Sequence, residues 1–117
     1  MFKVIVAGSR TFDDYKLLCE KLDYLFRDQS DEICIICGLA KGADMLGQRY
    51  AINNHLYIKY YPADWHTNGK SAGIIRNIQM AEEADALVAF WDGESKGTKH
   101  MIDIAKKKRL KVRIINV

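Results

Sequence analysis

Residues 2–10 read FKVIVAGSR, an apolar run that ends in a glycine, a serine and an arginine. A nearly continuous apolar run rich in β-branched residues is typical of a strand buried on both faces, as in a parallel sheet. In open α/β sheets the carboxyl ends of such strands, with the adjoining helix N-termini, surround phosphate groups with backbone N–H groups. We therefore predict a strand at residues 2–7 and a ligand-binding loop at Gly8, Ser9 and Arg10.

The same pattern of apolar runs continues along the chain. Besides the first run, strands are predicted at residues 32–37, 57–61, 86–91 and 111–117. The segments between them carry apolar residues at helical spacing. Helices are predicted at residues 14–27, 42–54, 71–83 and 98–108. Asp13 or Asp14 is available to cap the first helix, and lysines end the last one, where the helix dipole favours cations.

This alternation predicts an α/β fold with a five-stranded parallel sheet and four crossover helices. Right-handed crossovers give a Rossmann-like three-layer sandwich with strand order 3-2-1-4-5. The order reverses between strands one and four, so we predict a crevice between their carboxyl ends. The loops that follow these two strands then become neighbours.

Composition bounds the class of protein. The chain has 117 residues, of which 49% are hydrophobic, and this matches one compact domain spanning residues 1–117. Its net charge of +3 is far below that of a dedicated nucleic-acid binder. No apolar stretch approaches a membrane span, so we expect no membrane association. Three cysteines and a start directly at a strand-like run indicate a reduced, cytoplasmic protein.

Two further glycine-containing segments follow predicted strands. The first, residues 38–44, reads GLAKGAD, and the second, residues 92–98, reads DGESKGT. Gly93 and Gly97 allow the backbone to approach a ligand, while Thr98 can cap the helix or bind a phosphate oxygen. Arg10 can grip a phosphate with a forked pair of hydrogen bonds. Each segment taken alone is also compatible with an ordinary strand–turn–helix junction.

Other residue patterns are weaker indications of chemistry. Cys34 and Cys37 lie three apart in a strand, so they point to opposite faces and favour a core position over a metal site. The three histidines have no metal-ligand spacing, and we predict no metal site. The segment GKSAG at residues 69–73 lacks the upstream glycine of a P-loop, although Lys70 and a helix N-terminus there suit an anion. Lys96 could neutralise a ligand phosphate.

The motifs resemble a known family when they are taken together. Beside the three segments, these are PADW at residues 62–65, GKSAG, the pair Arg76-Asn77 with Met80, and Gly97-Thr98. In that combination the chain resembles the YspA-like branch of the SLOG superfamily over nearly its whole length. The superfamily also includes the lonely-guy phosphoribohydrolases and the DNA-processing protein A fold. The resemblance implies a sensor or binder of nucleotide-derived ligands. It also implies a connection with NAD or ADP-ribose metabolism and with phage–host conflict. Arg76 matches the arginine that the family carries on this helix.

The residues and the resemblance together give a predicted site for a nucleotide-derived small molecule. Trp65 and Trp91 could stack on a base, and Asn77 could bind a ribose or base. No cofactor is required, and relatives suggest a homo-oligomer. The predicted ligand-binding residues are Gly8, Ser9, Arg10, Gly38, Ala40, Lys41, Asp44, Trp65, Lys70, Arg76, Asn77, Trp91, Gly93, Ser95, Lys96, Gly97 and Thr98.

The chain departs from the family pattern at two places. Leu39 and Lys41 stand where many relatives have glycine and arginine. The Leu39 side chain narrows the space in which the backbone of the second loop can approach a phosphate. Met101 occupies the position of the glutamate with which phosphoribohydrolases break the N-glycosidic bond. Methionine can neither stabilise an oxocarbenium ion nor activate water, so we expect binding without turnover.

Two alternative functions stay open. A nucleotide N-glycosidase would need a relocated carboxylate, for which Asp44, Asp92 and Glu94 are the candidates. A single-stranded nucleic-acid-binding protein is suggested by the basic end of the last helix and by the relationship to the DNA-processing fold. Strong salt dependence of oligonucleotide binding would distinguish that function.

Overall fold

The computed structural model describes residues 1–117 and contains one five-stranded, all-parallel sheet. Its strand order is β3-β2-β1-β4-β5, so the predicted fold class and strand order are confirmed. The strands are β1 (Phe2–Gly8), β2 (Ile33–Cys37), β3 (Tyr57–Tyr60), β4 (Ala86–Trp91) and β5 (Lys111–Asn116).

Five α-helices connect or flank these strands, one more than the sequence predicts. They are α1 (Tyr15–Phe26), α2 (Ala43–Asn53), α3 (Trp65–Asn68), α4 (Ala72–Glu83) and α5 (Lys96–Lys107), with a 3₁₀ turn at Gly69–Ser71 between α3 and α4. The additional helix α3 is a single turn. The side chain of Asp64 accepts a hydrogen bond from the backbone N–H of Thr67 at 3.1 Å and caps that turn. None of these helices is long and apolar enough to cross a membrane.

Alternate residues of β1 face two separate apolar clusters. Val4 and Val6 pack with Leu18 and Leu22 of α1 on one face of the sheet. Ile5 on the opposite face packs in a second cluster, which includes residues of α4 and α5. Because successive side chains of a strand point to opposite faces, a strand covered by helices on both sides is apolar throughout. This explains why the run at residues 2–7 shows no polar alternation.

Two of the longer helices, α1 and α5, also begin at side-chain caps. The Asp14 carboxylate accepts a hydrogen bond from the N–H of Leu17 at 3.0 Å, as one of the two predicted caps of α1. At α5 the cap is Ser95 instead of Thr98, since Ser95 Oγ accepts from the Thr98 N–H at 3.4 Å. The predicted start at residue 98 is therefore corrected to Lys96, and Thr98 lies inside the first turn.

The two strand cysteines occupy the core, as predicted. Cys34 and Cys37 are buried, and the Cys37 thiol lies 3.4 Å from the backbone carbonyl oxygen of Asp44. Burial raises the pKa of the Cys37 thiol to about 11. The thiol is therefore neutral near pH 7, and its contact with Asp44 joins the end of β2 to the first turn of α2.

Candidate ligand-binding cleft

A cleft of about 320 Å³ opens at the carboxyl ends of the sheet, and we call it the main cleft. Its walls come from the loop after β1, the loop after β2, the start of α4 and the first turn of α5. The cleft lies where the order of the strands reverses, because β1 pairs with both β2 and β4. Open α/β sheets bind ligands at this position.

Ser9 holds the loops around the main cleft together. It is 2% exposed, and its backbone N–H donates to the carbonyl of Phe90 at 2.9 Å. Its own carbonyl accepts from the N–H groups of Phe12 and Ala43. Its hydroxyl accepts from the backbone N–H of Asp92 at 3.0 Å. Ser9 therefore joins the ends of β1 and β4 to the start of α2 and does not itself line the cleft.

Asp44 is the one carboxylate in the lining of the main cleft. It is 5% exposed, and Oδ2 accepts a hydrogen bond from the backbone N–H of Ala40 at 3.3 Å. Burial raises the pKa of this carboxyl from 3.8 to about 6, although the charges of Arg76 and Arg10 and the Ala40 N–H pull it downward. Asp44 thus changes its charge close to neutral pH.

Arg76 stands beside Asp44 and is fixed by the second loop. Its guanidinium donates to the carbonyl of Gly38, and its Nε donates to Asn77 Oδ1 at 3.1 Å. A Cβ atom at Gly38 would lie 2.7 Å from Arg76 Nη1 and 2.8 Å from Asp44 Oδ2. A side chain at this position would displace the ends of Arg76 and Asp44 from these places, so Gly38 shapes the site without lining the main cleft.

Asn77 connects α4 to α5 across the main cleft. It is 7% exposed, and its Nδ2 lies 3.4 Å from the carbonyl oxygen of Gly97 and 3.2 Å from His100 Nδ1. Both partners belong to the first two turns of α5. Asn77 therefore sets the distance between the two helix starts that face a ligand.

The start of α5 presents free backbone donors. Thr98 N–H is bonded to the Ser95 hydroxyl, whereas the N–H groups of Lys96 and Gly97 make no hydrogen bond within the protein. Unpaired N–H groups and the helix dipole together favour an anion at such a terminus. The Lys96 side chain adds a positive charge at the same place.

Asp92 and Glu94, the other two carboxylate candidates, lie outside the lining of the main cleft. The Asp92 carboxylate accepts from the backbone N–H groups of Glu94 at 2.8 Å and Ser95 at 2.9 Å. These hydrogen bonds lower the pKa of Asp92, since they stabilise its charged form. Its carboxylate is therefore occupied in shaping the turn before α5.

The two tryptophans occupy different environments. Trp65 lines the rim of the main cleft and is 55% exposed, with its ring near Gly73 of α4. Trp91 is half-buried against the second core cluster, and its indole N–H donates to the carbonyl of Ser95 at 3.1 Å. Trp65 offers an exposed face for stacking, while Trp91 supports the turn before α5.

The structure brings together twelve of the predicted ligand-binding residues. Those lining the main cleft are Gly8, Arg10, Ala40, Asp44, Trp65, Lys70, Arg76, Asn77, Ser95, Lys96, Gly97 and Thr98. Five lie outside its lining, namely Ser9, Gly38, Lys41, Trp91 and Gly93. Gly38 and Lys41 instead line an adjacent hollow.

Sequence reasoning missed the largely apolar part of the lining. Six further residues complete it, namely Ala7, Gly73, Ile74, Met80, His100 and Met101. Helical spacing is a signal that could have found three of them, because residues three apart share a helix face. Met80 follows Asn77 by three positions, as His100 follows Gly97 and Met101 follows Thr98. Met101 is 1% exposed and adds no charge to the site.

The lining is strongly unbalanced in charge. It holds Arg10, Lys70, Arg76 and Lys96 against the single carboxylate of Asp44. No group of three or more histidine, cysteine, aspartate or glutamate side chains that could hold a metal ion occurs in the chain. The arrangement of cations, free amide donors and an exposed aromatic ring suits a ligand that is anionic at one part and planar at another.

Comparisons with known proteins agree with this fold. A model of the family described as "YspA, cpYpsA-related SLOG family" matches residues 2–67. The Gene 61 protein of Mycobacterium phage D29 is 34% identical over 114 residues, covering 92% of this chain and 90% of that protein. The X-ray structure of DNA processing protein A from Streptococcus pneumoniae superposes with a TM-score of 0.78 at 18% identity. That match covers 100% of this chain and 51% of the other, so this chain spans about half its length.

Proposed function

Because this chain belongs to the YspA, cpYpsA-related SLOG family, we propose that it binds a small nucleotide-derived anion in the main cleft and releases it unchanged. The observation that carries the proposal is the charge of the lining, where four cationic side chains face one carboxylate. Cations and free amide groups around a concave, partly apolar site are what a phosphorylated ligand requires.

The start of α5 is the proposed phosphate site. The free N–H groups of Lys96 and Gly97 would donate to phosphate oxygens, and the Lys96 ammonium would offset the charge. Arg10 reaches the same cleft from the loop after β1 and is exposed, so it can move to a phosphate. The Thr98 hydroxyl is shared with Ser95 Oγ at 2.9 Å and orients the turn.

The opposite wall is the proposed site for the nucleoside. Trp65 provides an exposed ring on which a base can stack. Ile74 is half exposed and adds apolar surface to the main cleft, which the buried side chains of Met80 and Met101 also line. Asn77 is hydrogen-bonded to Arg76 and to the carbonyl of Gly97, so its proposed role is to position these parts of the site and not to contact phosphate directly.

The test is ligand-induced stabilisation measured with a panel of mononucleotides, NAD, ADP-ribose and short oligonucleotides. A ligand that binds only the folded state raises the melting temperature, by an amount equivalent to about 2.7 kcal/mol at a hundred times its dissociation constant. Lys96→Gln should weaken the binding by at least about tenfold, because a charge-assisted contact contributes roughly 1.5–3 kcal/mol. The matched control is Lys106→Gln, which removes the same charge from the exposed last turn of α5.

No stabilisation by any member of the panel would contradict the proposal. An equal loss of affinity in the Lys96 and Lys106 variants would place the ligand elsewhere. A preference for oligonucleotides that rises with length and falls steeply with salt would instead favour the nucleic-acid alternative.

A second candidate function, N-glycosidic hydrolysis, is favoured by one observation. Asp44 places a carboxylate with a pKa near 6 in the same cleft as the cations. Such a group could stabilise an oxocarbenium ion or activate water, the task that Met101 cannot perform. Release of free base from a nucleoside monophosphate, abolished in Asp44→Asn, would support hydrolysis. Recovery of intact ligand after prolonged incubation would support binding alone.

A further inference from the structure

A second hollow of about 320 Å³ adjoins the main cleft, on the side of the loops that follow β2 and β3. The two cavities share four residues, Arg10, Ala40, Trp65 and Arg76. The shared residues form the boundary between the cavities, so a ligand long enough to cross that boundary would contact both. The proposed function uses only the main cleft and assigns nothing to this second hollow.

The chemistry of the second hollow differs from that of an ordinary surface depression. Its lining holds three cations, Arg10, Lys41 and Arg76, and no carboxylate. The rest of the lining includes Leu39 and Pro62, with Trp65 at the boundary. A planar apolar group can pack on such a surface while a neighbouring anion contacts the cations.

The two boundary arginines are held in different ways. Arg76 is fixed by its hydrogen bonds to Gly38 and Asn77, so its position at the boundary needs no ligand. Arg10 is exposed and follows the buried anchor Ser9. A fixed and a movable guanidinium at one boundary suit a pair of linked phosphates, because Arg10 can bind two oxygens in a fork and Arg76 keeps its Nη2 group for a further hydrogen bond.

We propose that the second hollow binds the second nucleoside of a ligand whose two nucleosides are joined by a pyrophosphate. The pyrophosphate extends from the start of α5, where the proposed function places a phosphate, to the boundary formed by Arg10 and Arg76. One nucleoside lies in the main cleft, and the other packs in the second hollow beside Trp65. This inference rests on the proposed function and narrows its ligand class. It also gives Lys41, which lies outside the main cleft, a place beside the pyrophosphate.

The experiment compares ADP with diadenosine diphosphate by calorimetry. ADP is an adenosine attached to a pyrophosphate, and diadenosine diphosphate differs from it only by a second adenosine on the other phosphate. Diadenosine diphosphate also carries less negative charge, so a gain in affinity cannot come from electrostatics. We expect it to bind at least about tenfold more tightly than ADP, since stacking of one base contributes roughly 1–3 kcal/mol.

Ala63 provides a variant specific to the second hollow, because it lines that hollow and not the main cleft. Ala63→Gln adds a larger, uncharged side chain there, and it should lower the affinity for diadenosine diphosphate about tenfold while changing that for ADP less than about threefold. Ala63→Ser adds little volume and no charge, and should leave both affinities unchanged. Equal melting temperatures of the unliganded variants would show that the fold is kept.

Three results would overturn the inference. Equal affinity of the wild-type protein for ADP and diadenosine diphosphate would leave the second hollow without an occupant. A loss of affinity for diadenosine diphosphate no larger than the loss for ADP in Ala63→Gln would show that the second adenosine does not lie in the second hollow. Binding of neither ligand by the wild-type protein would contradict this inference, while the proposed function is judged by the full nucleotide panel. Binding of ADP without any gain from the second adenosine would overturn the inference and leave the proposed function intact.

Discussion

The Ser9 hydroxyl accepts a hydrogen bond at 3.0 Å from the backbone N–H of Asp92, a residue 83 positions later in the chain. This bond crosses from the loop after β1 to the loop after β4, the two loops on either side of the reversal in strand order. Parallel strands that are neighbours in a sheet are joined by long connections, so their loops need contacts of this kind to keep a fixed separation. The bond therefore sets the width of the main cleft.

Replacing Ser9 with alanine removes that bond and leaves the Asp92 N–H unpaired. We expect Ser9→Ala to lower the free energy of unfolding by about 1 kcal/mol, the typical net value of a hydrogen bond. Urea unfolding followed by circular dichroism measures the change. Ser30→Ala at an exposed position is the control and should alter stability by less than about 0.5 kcal/mol. Equal stability of the two variants would show that the bond contributes nothing.

Gly42 occupies a position that no side chain fits. Its φ is +81°, and a Cβ atom there would lie 2.7 Å from Cα of Arg10, with closer contact to the Ser9 carbonyl. Gly69 also has a positive φ, +55°, but a Cβ atom there would have no neighbour within 4 Å. A substitution at Gly69 therefore introduces backbone strain alone, whereas the same substitution at Gly42 introduces both backbone strain and steric overlap.

Alanine at Gly69 should lower stability by about 1 kcal/mol, the cost of a left-handed backbone with a side chain. Alanine at Gly42 adds overlap with the loop after β1, and we expect a total loss of roughly 3 kcal/mol. Thermal and urea unfolding of both variants measure the difference. A similar loss at the two positions would show that the loop moves aside at little cost.

The elements predicted best are those whose signal is local. β1, β2 and β4 are almost entirely apolar because helices cover both faces, and this pattern was enough to predict their positions and the sheet type. The helix α3 was missed because it is one turn long and depends on the Asp64 cap instead of on apolar spacing.

Contacts between distant segments account for the differences within the site. The sequence could not show that the Trp91 indole is engaged by the Ser95 carbonyl, or that Ser9 is buried as an anchor. Both depend on how the loop after β4 packs. The loop segments Gly8–Arg10 and Gly97–Thr98 were identified correctly as neighbours, since strand order follows from general rules of crossover connection.

Asp44 should make stability depend on pH. Its pKa is raised from 3.8 to about 6 by burial, so the folded state holds this proton more tightly than the unfolded state. The stabilising effect is complete below pH 4 and is lost as pH rises to about 6. Relative to Asp44→Asn, which cannot ionise, the wild-type protein should lose up to about 3 kcal/mol between pH 4 and pH 7. Urea unfolding at several pH values tests this, and parallel profiles would contradict it.

The same carboxylate should control the affinity for anions. At pH 7.5 the charged Asp44 repels a ligand phosphate, while at pH 5.5 the protonated form does not. NAD is the suitable probe because its pyrophosphate does not titrate in this range, whereas the second ionisation of a terminal phosphate falls near pH 6. We expect affinity to rise about three- to tenfold from pH 7.5 to pH 5.5 in the wild-type protein.

Asp44→Asn is the control for this dependence, because it keeps an oxygen acceptor for the Ala40 N–H but carries no charge. The difference between the two pH profiles gives the contribution of Asp44 alone, because every other group in the cleft, such as His100, is present in both proteins. Calorimetric titration of NAD at pH 5.5, 6.5 and 7.5 measures both profiles. If the two proteins gain the same affinity on acidification, Asp44 does not face the bound anion, and the phosphates must lie nearer the start of α5 than to Arg76.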